Sequence, residues 1–262
     1  MKITTSHNRS EAPAFSFVVV ADTHVNEADG VSTSPFETNH LANERARYVF
    51  HEIASMAEPP EFVIHLGDIV HPVPGLPTFD DAVGLFKEIA APLTVPLHVI
   101  PGNHDIGDKR INWMPADQIC DEYVDKYREA FGADYYSFTQ GPIRFVMLNS
   151  LLLNSGLPDE AKQQQWLESE ISQNPNERVF VFMHYPPYIY SPDERGNYDN
   201  IDMPKRYSQA TFITTGMTRS ATPSFTCCRP PLFSGTISLS STRLRPLQNL
   251  REVTSSDSGI SR

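Results

Sequence analysis

Cysteine is scarce in this chain of 262 residues: Cys120, Cys227 and Cys228 make an odd count with two adjacent, which excludes a disulfide framework and a Cys-x-x-Cys metal site. A reducing, cytoplasmic setting is the corresponding expectation. No early apolar run reaches membrane length, and the residues before Pro13 lack the hydrophobic stretch of a signal peptide, so neither a membrane span nor export is expected. Positive charge is short as well. The 21 lysines and arginines face 32 acidic residues, for a formal net charge of −11, which argues against long nucleic acid held by charge alone. It does not argue against a site that handles phosphate through metal ions. Histidine runs out early, since none of the nine follows His184.

About 40% of the residues are apolar and the mean hydropathy is −0.34, the balance of a soluble globular chain long enough to bury a sizeable core. After a polar leader (1–14), Phe15 to Val20 reads as a strand. The spacing of Leu41, Arg45, Tyr48, Val49, Ile53 and Met56 predicts an amphipathic helix, ended by Pro59-Pro60. Phe62 to Leu66 and Leu97 to Ile100 read as further strands, with a helix over Phe79 to Ala90 between them. A helix over Asp117 to Phe131 comes next, then strands at Tyr135 to Phe138 and Ile143 to Leu148. A helix over Pro158 to Ile171 and a strand at Val179 to Met183 complete the pattern. No internal repeat is present. Strands alternating with helices predict an α/β layered domain with a largely parallel inner sheet.

The informative feature is where the polar residues fall. Asp22 and His24, Asp68, Asn103 and His104, and His184 each follow a separate apolar strand. Open α/β sheets place their ligand crevices at such strand ends. Asp22 and His24 are two apart, so on extended backbone both side chains project to the same side. Carboxylates, imidazoles and an amide converging there suit Mn, Fe or Zn ions.

Each piece alone has an ordinary reading. Asp-x-His arises by chance, Gly67-Asp68 is a common turn, and His184 before two prolines could be a core histidine. His65 and His98, inside apolar strands, are expected to be core residues with hydrogen-bond partners, and His40 and His51 to be solvated. His71, three residues after Asp68, is a candidate for the crevice rim. Tyr185, Tyr188 and Asn197 to Met203 are candidates to shape a substrate pocket, with a surface loop as the alternative.

Taken together and in order, Asp22-Thr23-His24, Gly67-Asp68, Gly102-Asn103-His104-Asp105 and His184 resemble the signature of the calcineurin-like metallophosphoesterase superfamily over residues 15 to about 206. The resemblance implies a layered β-sandwich with flanking helices and a centre of two divalent metal ions. Asp22 and His24 would hold one ion, Asp68 would bridge both, and Asn103 and His184 would hold the other. His104 would act as general acid near the leaving group, with Asp105 orienting its ring. The nucleophile would be a metal-bridging hydroxide, which two ions about 3.5–4 Å apart generate at neutral pH. The implied substrate is a small phosphate mono- or diester, a nucleotide-like ester among the candidates. Nothing in the sequence speaks to oligomeric state.

The same resemblance exposes a departure. The superfamily closes its site with Gly-His-x-His, and no histidine follows His184 here. Composition changes at the same place. After Arg206, six arginines face only Glu252 and Asp257, a net of +4, which leaves −15 on the residues before it. Shifted by one base, the codons of residues 210–213 permit Gly-His-Val-His. The expectation is therefore a metallophosphoesterase domain at 15–206, incomplete at its C-terminal end, followed by an aberrant, poorly ordered tail at 207–262 that is read out of frame. The alternatives are a divergent tail and a phosphoesterase-like domain without turnover.

Overall fold

The computed structural model describes residues 15–109, 117–172 and 178–188, and the backbone of two short strands beyond them. The leader, the segment Asn197 to Met203, Cys227, Cys228 and most of the tail lie outside the described residues.

The elements alternate as the hydrophobic pattern predicts: β1 (Ser16–Val20), α1 (Ala42–Ala54), β2 (Val63–His65), α2 (Phe79–Ala90) and β3 (Leu97–Val99). A helical turn α3 (Asn103–Ile106) precedes α4 (Asp121–Phe131), β4 (Tyr136–Gln140), β5 (Ile143–Met147), α5 (Pro158–Ser172) and β6 (Arg178–Phe182). In the tail, β7 (Thr211–Ile213) and β8 (Ser240–Arg243) are strands. One boundary differs from expectation. Helix α4 starts at Asp121 rather than Asp117, because residues 117–119 pair with Asp108: its N–H donates to Asp117 O (2.7 Å) and its carbonyl accepts from Ile119 N (2.8 Å).

Two four-stranded sheets result, in the orders β3-β2-β1-β8 and β4-β5-β6-β7. The inner pairs β1–β2, β2–β3 and β5–β6 are parallel, whereas β8 lies antiparallel on β1 and β4 antiparallel on β5. Residues on successive strand positions face opposite ways, and this sorts the apolar side chains into three cores. Phe17, Phe62, Ile64 and Leu66 of the first sheet meet Ile143, Phe145, Met147 and Phe182 of the second. Phe17 stacks on Phe62 with centroids 5.1 Å apart and meets Phe145 edge-on at 5.5 Å. The opposite face of the first sheet, Val18, Val20, Val63 and Val99, is covered by Phe50 and Ile53 of α1, Phe86 and Ile89 of α2, and Tyr127 of α4. The outer face of the second sheet, Val146 and Val181, is covered by Leu167 of α5. Each fully buried phenylalanine or isoleucine contributes about 1.5–3 kcal/mol relative to exposure. The architecture is therefore helix, sheet, sheet, helix, with the carboxyl ends of β1, β2 and β3 at one edge of the first sheet.

Candidate metal centre

Pairing between β1 and β2 continues beyond the strands. Asp22 N–H donates to Gly67 O, His24 N–H to Asp68 O and Val25 N–H to Ile69 O, each at 3.0 Å, and His71 N–H returns to Val25 O at 2.9 Å. The two loops leave the sheet as a joined pair. Asp22 and His24 do share one side, but for a different reason from the one expected. The backbone is not extended there: φ is 54° at Asp22, 43° at His24 and 52° at Asp68. Left-handed backbone at a non-glycine residue costs about 1–3 kcal/mol and persists only where the surroundings enforce it. The ladder of backbone bonds and the buried Thr23 between the two side chains enforce it here. Thr23 Oγ1 donates to Ile69 O at 2.8 Å and accepts from His65 Nε2 at 2.9 Å.

The third loop is drawn in by two glycines. Gly67 has φ +99°, and a Cβ on it would stand 2.7 Å from Gly102 Cα. A Cβ on Gly102 would stand 2.9 Å from the Asp68 carboxyl carbon. Bare backbone at both positions lets the loop after β3 lie directly on the loop after β2. Asn103 and His104 thereby reach Asp68, and His104 N–H donates to Asp68 Oδ1 at 2.9 Å.

The five side chains expected to meet do meet. Ligand atoms of Asp22, His24 and Asp68 all lie within 4.8 Å of one another. Asp68 Oδ2 stands 3.5 Å from His24 Nε2 and 3.6 Å from His184 Nε2, which puts it between the two imidazoles. His184 Nε2 is also 3.1 Å from Asn103 Oδ1. On its other side His184 Nδ1 donates to Leu66 O at 3.0 Å. With Nδ1 carrying a proton, Nε2, Asn103 Oδ1 and Asp68 Oδ2 are three lone-pair atoms aimed at one another. Such a set needs a cation among them, either a proton or a metal ion. The donor chemistry, carboxylate and amide oxygens with imidazole nitrogens, fits a divalent transition ion.

Charge tells the same story. Burial pushes the Asp22 carboxyl up to about 7, against the pull of His184 and with the repulsion of Asp68 added. Burial also acts to raise Asp68, but the imidazoles of His184, His104 and His24 outweigh it and hold Asp68 below the usual carboxylate range. Burial alone would lower His184. The carboxylates of Asp68 and Asp22 raise it instead. Burial drives His24 down to about 3, so it stays neutral, the form that binds metal.

Asp105 needs correcting. It does not orient the His104 ring, whose Nδ1 instead donates to the main-chain carbonyl of His71 at 2.6 Å. The Asp105 carboxylate, fully buried, accepts from Ile69 N at 3.0 Å, Val70 N at 3.1 Å and Gly102 N at 2.8 Å. It clamps the loops after β2 and β3 together.

The remaining histidines fall as follows. His65 is fully buried: Gly67 N–H donates to its Nδ1 at 3.2 Å, so Nε2 carries the proton given to Thr23. His98 stacks on Phe138 with centroids 3.8 Å apart and pairs with Tyr136 OH at 3.3 Å. His40 and His51 are exposed. His71 is not a rim residue but a buried one, and its ligand atom lies within 4.8 Å of those of His24 and His104. The apolar flank of Val70 carried no signal for this, because the approach to His24 is made across 47 residues of chain. Tyr185 is buried with its hydroxyl donating to Asp108 Oδ1 at 3.1 Å, which ties it to the loop beyond α3.

A sequence model of the calcineurin-like phosphoesterases matches residues 15–214. The serine/threonine-protein phosphatase CPPED1 of Danio rerio is 31% identical over 157 residues, covering 57% of this chain and 48% of its own length. The CPPED1 of Homo sapiens is 31% identical over 147 residues, covering 53% and 44%. The probable glycerophosphodiester phosphodiesterase GpdQ of Arcobacter nitrofigilis is 27% identical over 181 residues, covering 65% and 56%. The chain thus spans about half the length of these curated relatives. The solved structure of the purple acid phosphatase PPD1 from yellow lupin seeds overlaps 69% of this chain and 32% of its own at a TM-score of 0.47 and 16% identity. With the matched span holding β1 to β7 and every strand end that carries a site residue, this chain belongs to the calcineurin-like phosphoesterase family.

Proposed function

We propose that the chain is a metal-dependent hydrolase of small phosphate esters, a phosphatase or phosphodiesterase working through two divalent ions of the Mn, Fe or Zn class. One observation carries this reading: Asp68 Oδ2 stands 3.5 Å from His24 Nε2 and 3.6 Å from His184 Nε2, with Asp22 close to the first pair and Asn103 to the second. Asp22, His24 and Asp68 would hold one ion, and Asp68, Asn103 and His184 the other. Bound there, the ions would supply an acidified water and neutralise the phosphoryl oxygens. The protein's own part is to hold charge and protons in place. His104 gives its Nδ1–H to the His71 carbonyl, which leaves Nε2 as the atom at which the ring delivers a proton to a departing oxygen. Asp105 keeps the Asn103-His104 turn against Asp68. The relatives named as a phosphatase and a phosphodiesterase support the ester class and leave both ester types within the reading.

A second reading rests on the absence of any histidine after His184. Without the superfamily's last two imidazoles the centre would be short of ligands, and the domain at 15–206 would bind phosphoesters without turning them over. On this reading the tail from residue 207 is translated one base out of register. Metal content by elemental analysis, together with hydrolysis of an aryl phosphodiester in added Mn, separates the two. Bound metal with turnover supports the enzyme. Metal with no turnover, restored in a chain whose frame is repaired after Arg206, supports the impaired domain. A chain that takes up no metal in either form overturns both.

A further inference from the structure

His71 lies in the loop after β2 and touches three parts of the site at once. Its carbonyl accepts from His104 Nδ1 at 2.6 Å. Its ring stacks beside that of His104, with centroids 4.9 Å apart and planes 27° apart. Its Nε2 faces Phe36 O at 3.4 Å, and its Nδ1 faces His24 Nδ1 at 3.5 Å, both at the long end of hydrogen bonding. A carbonyl oxygen only accepts, so Nε2 of His71 carries the proton and its Nδ1 offers a lone pair to His24. His24 must then be protonated at Nδ1. That leaves His24 Nε2, the atom 3.5 Å from Asp68 Oδ2, with the free lone pair that a cation needs.

We infer that His71 is a positioning residue: its ring fixes the tautomer and direction of His24 as a metal ligand, while its main chain fixes His104. The inference rests on the reading of Asp22, His24 and Asp68 as a cation site. Partners of this kind, behind a ligating imidazole, set ring orientation and basicity, and losing one typically weakens metal binding about 10–100-fold. Phe36, on the loop that follows His24, completes the relay by holding the proton on His71 Nε2.

The test is Mn²⁺ affinity of the full chain by equilibrium dialysis, with the visible spectrum of the Co²⁺-loaded protein as a second readout. His71→Phe keeps a flat ring against His104 and removes the acceptor; His71→Asn keeps an acceptor near the position of Nδ1. The expected result is a loss of about 10–100-fold in Mn²⁺ affinity for His71→Phe, most of it recovered in His71→Asn. The Co²⁺ bands should shift in the first variant and stay near the parent's in the second. Parent-like affinity in His71→Phe overturns the inference, as does an equal loss in both variants with equally lowered thermal midpoints, the mark of a ring that only fills space. If the parent itself takes up no Mn²⁺, the underlying site reading fails first and the inference falls with it.

Discussion

At the carboxyl end of β5, Asn149 is fully buried and both polar atoms of its side chain are engaged. Its Nδ2 donates to Asp134 Oδ2 at 2.8 Å and its Oδ1 accepts from Leu151 N at 3.0 Å. Gln163 closes its backbone on both sides. Asp134 is completed by Arg128 Nε at 2.7 Å, so both of its carboxylate oxygens meet a donor. The ends of β1, β2 and β3 are built from similar residues after similar strands, yet there lone-pair atoms face one another. Asp68 Oδ2, Asn103 Oδ1 and the imidazole nitrogens crowd acceptors together, and a proton on His184 is what the protein alone can offer them. A polar residue after a buried strand is therefore no sign of function by itself. The surplus of acceptors is what marks the ends of β1, β2, β3 and β6 as a place for a cation and the end of β5 as structure.

The largest effect expected from breaking this contrast is at Asp105, which belongs to the site in sequence and to the scaffold in space. Asp105→Ala strands the N–H groups of Ile69, Val70 and Gly102 in the interior, at about 1–3 kcal/mol for each donor left without a partner. Urea denaturation should show a loss of about 3 kcal/mol or more. A loss below about 1 kcal/mol would return Asp105 to a purely catalytic part. Next is Asp68→Asn, nearly the same shape with the central charge removed. Its Oδ1 can still accept from His104 N, so stability should change little, while Mn²⁺ affinity by dialysis falls by more than the about 100-fold ceiling for partners behind a ligand. Parent-like binding would show that the acceptor surplus holds no metal.

Asn149→Ala should behave in the opposite sense. It leaves Leu151 N and Asp134 short of partners and should cost about 2 kcal/mol in denaturation, with metal affinity unaltered. The smallest effect sharpens the contrast from inside the first sheet. Burial drives His65 down to about 3, from an ordinary value of 6.5. Between those two values the unfolded chain binds a proton that the folded one refuses. Stability should therefore rise with pH from about 3 to 6.5 and be fully present above that window, with a slope from this one group of up to about 1.4 kcal/mol per pH unit. In His65→Gln, denaturation across the same pH series should be flatter by that amount, and an unchanged slope would place the acid sensitivity elsewhere.

Much of the domain was legible without coordinates. Helix α2 runs from Phe79 to Ala90 as its periodicity predicts, and six strands fall within two residues of their apolar runs. Periodicity records which face of an element is buried, and that is a local property. The one-turn helix α3 escaped because four residues are too short to show a period. Helix α4 starts later than the apolar spacing implies because Asp108 claims residues 117–119 for a bridge. At the site, Asp22, His24, Asp68, Asn103 and His184 were legible from their order after separate strands. The left-handed backbone at Asp22, His24 and Asp68 was not, since it is imposed by bonds to a loop more than 40 residues away.

The order of chemistry-bearing residues along the chain determined which side chains lie near the crevice, because parallel strands deliver their carboxyl ends to one edge of their sheet. Only the tertiary structure decided what each residue does on arrival. Asp105 became a clamp, His71 moved from rim to interior, and the two histidines of the β2 loop region, His65 and His71, took protonated Nε2 atoms from the partners they found. Those outcomes depend on which donor meets which acceptor across tens of residues, and no local pattern in the chain encodes that pairing.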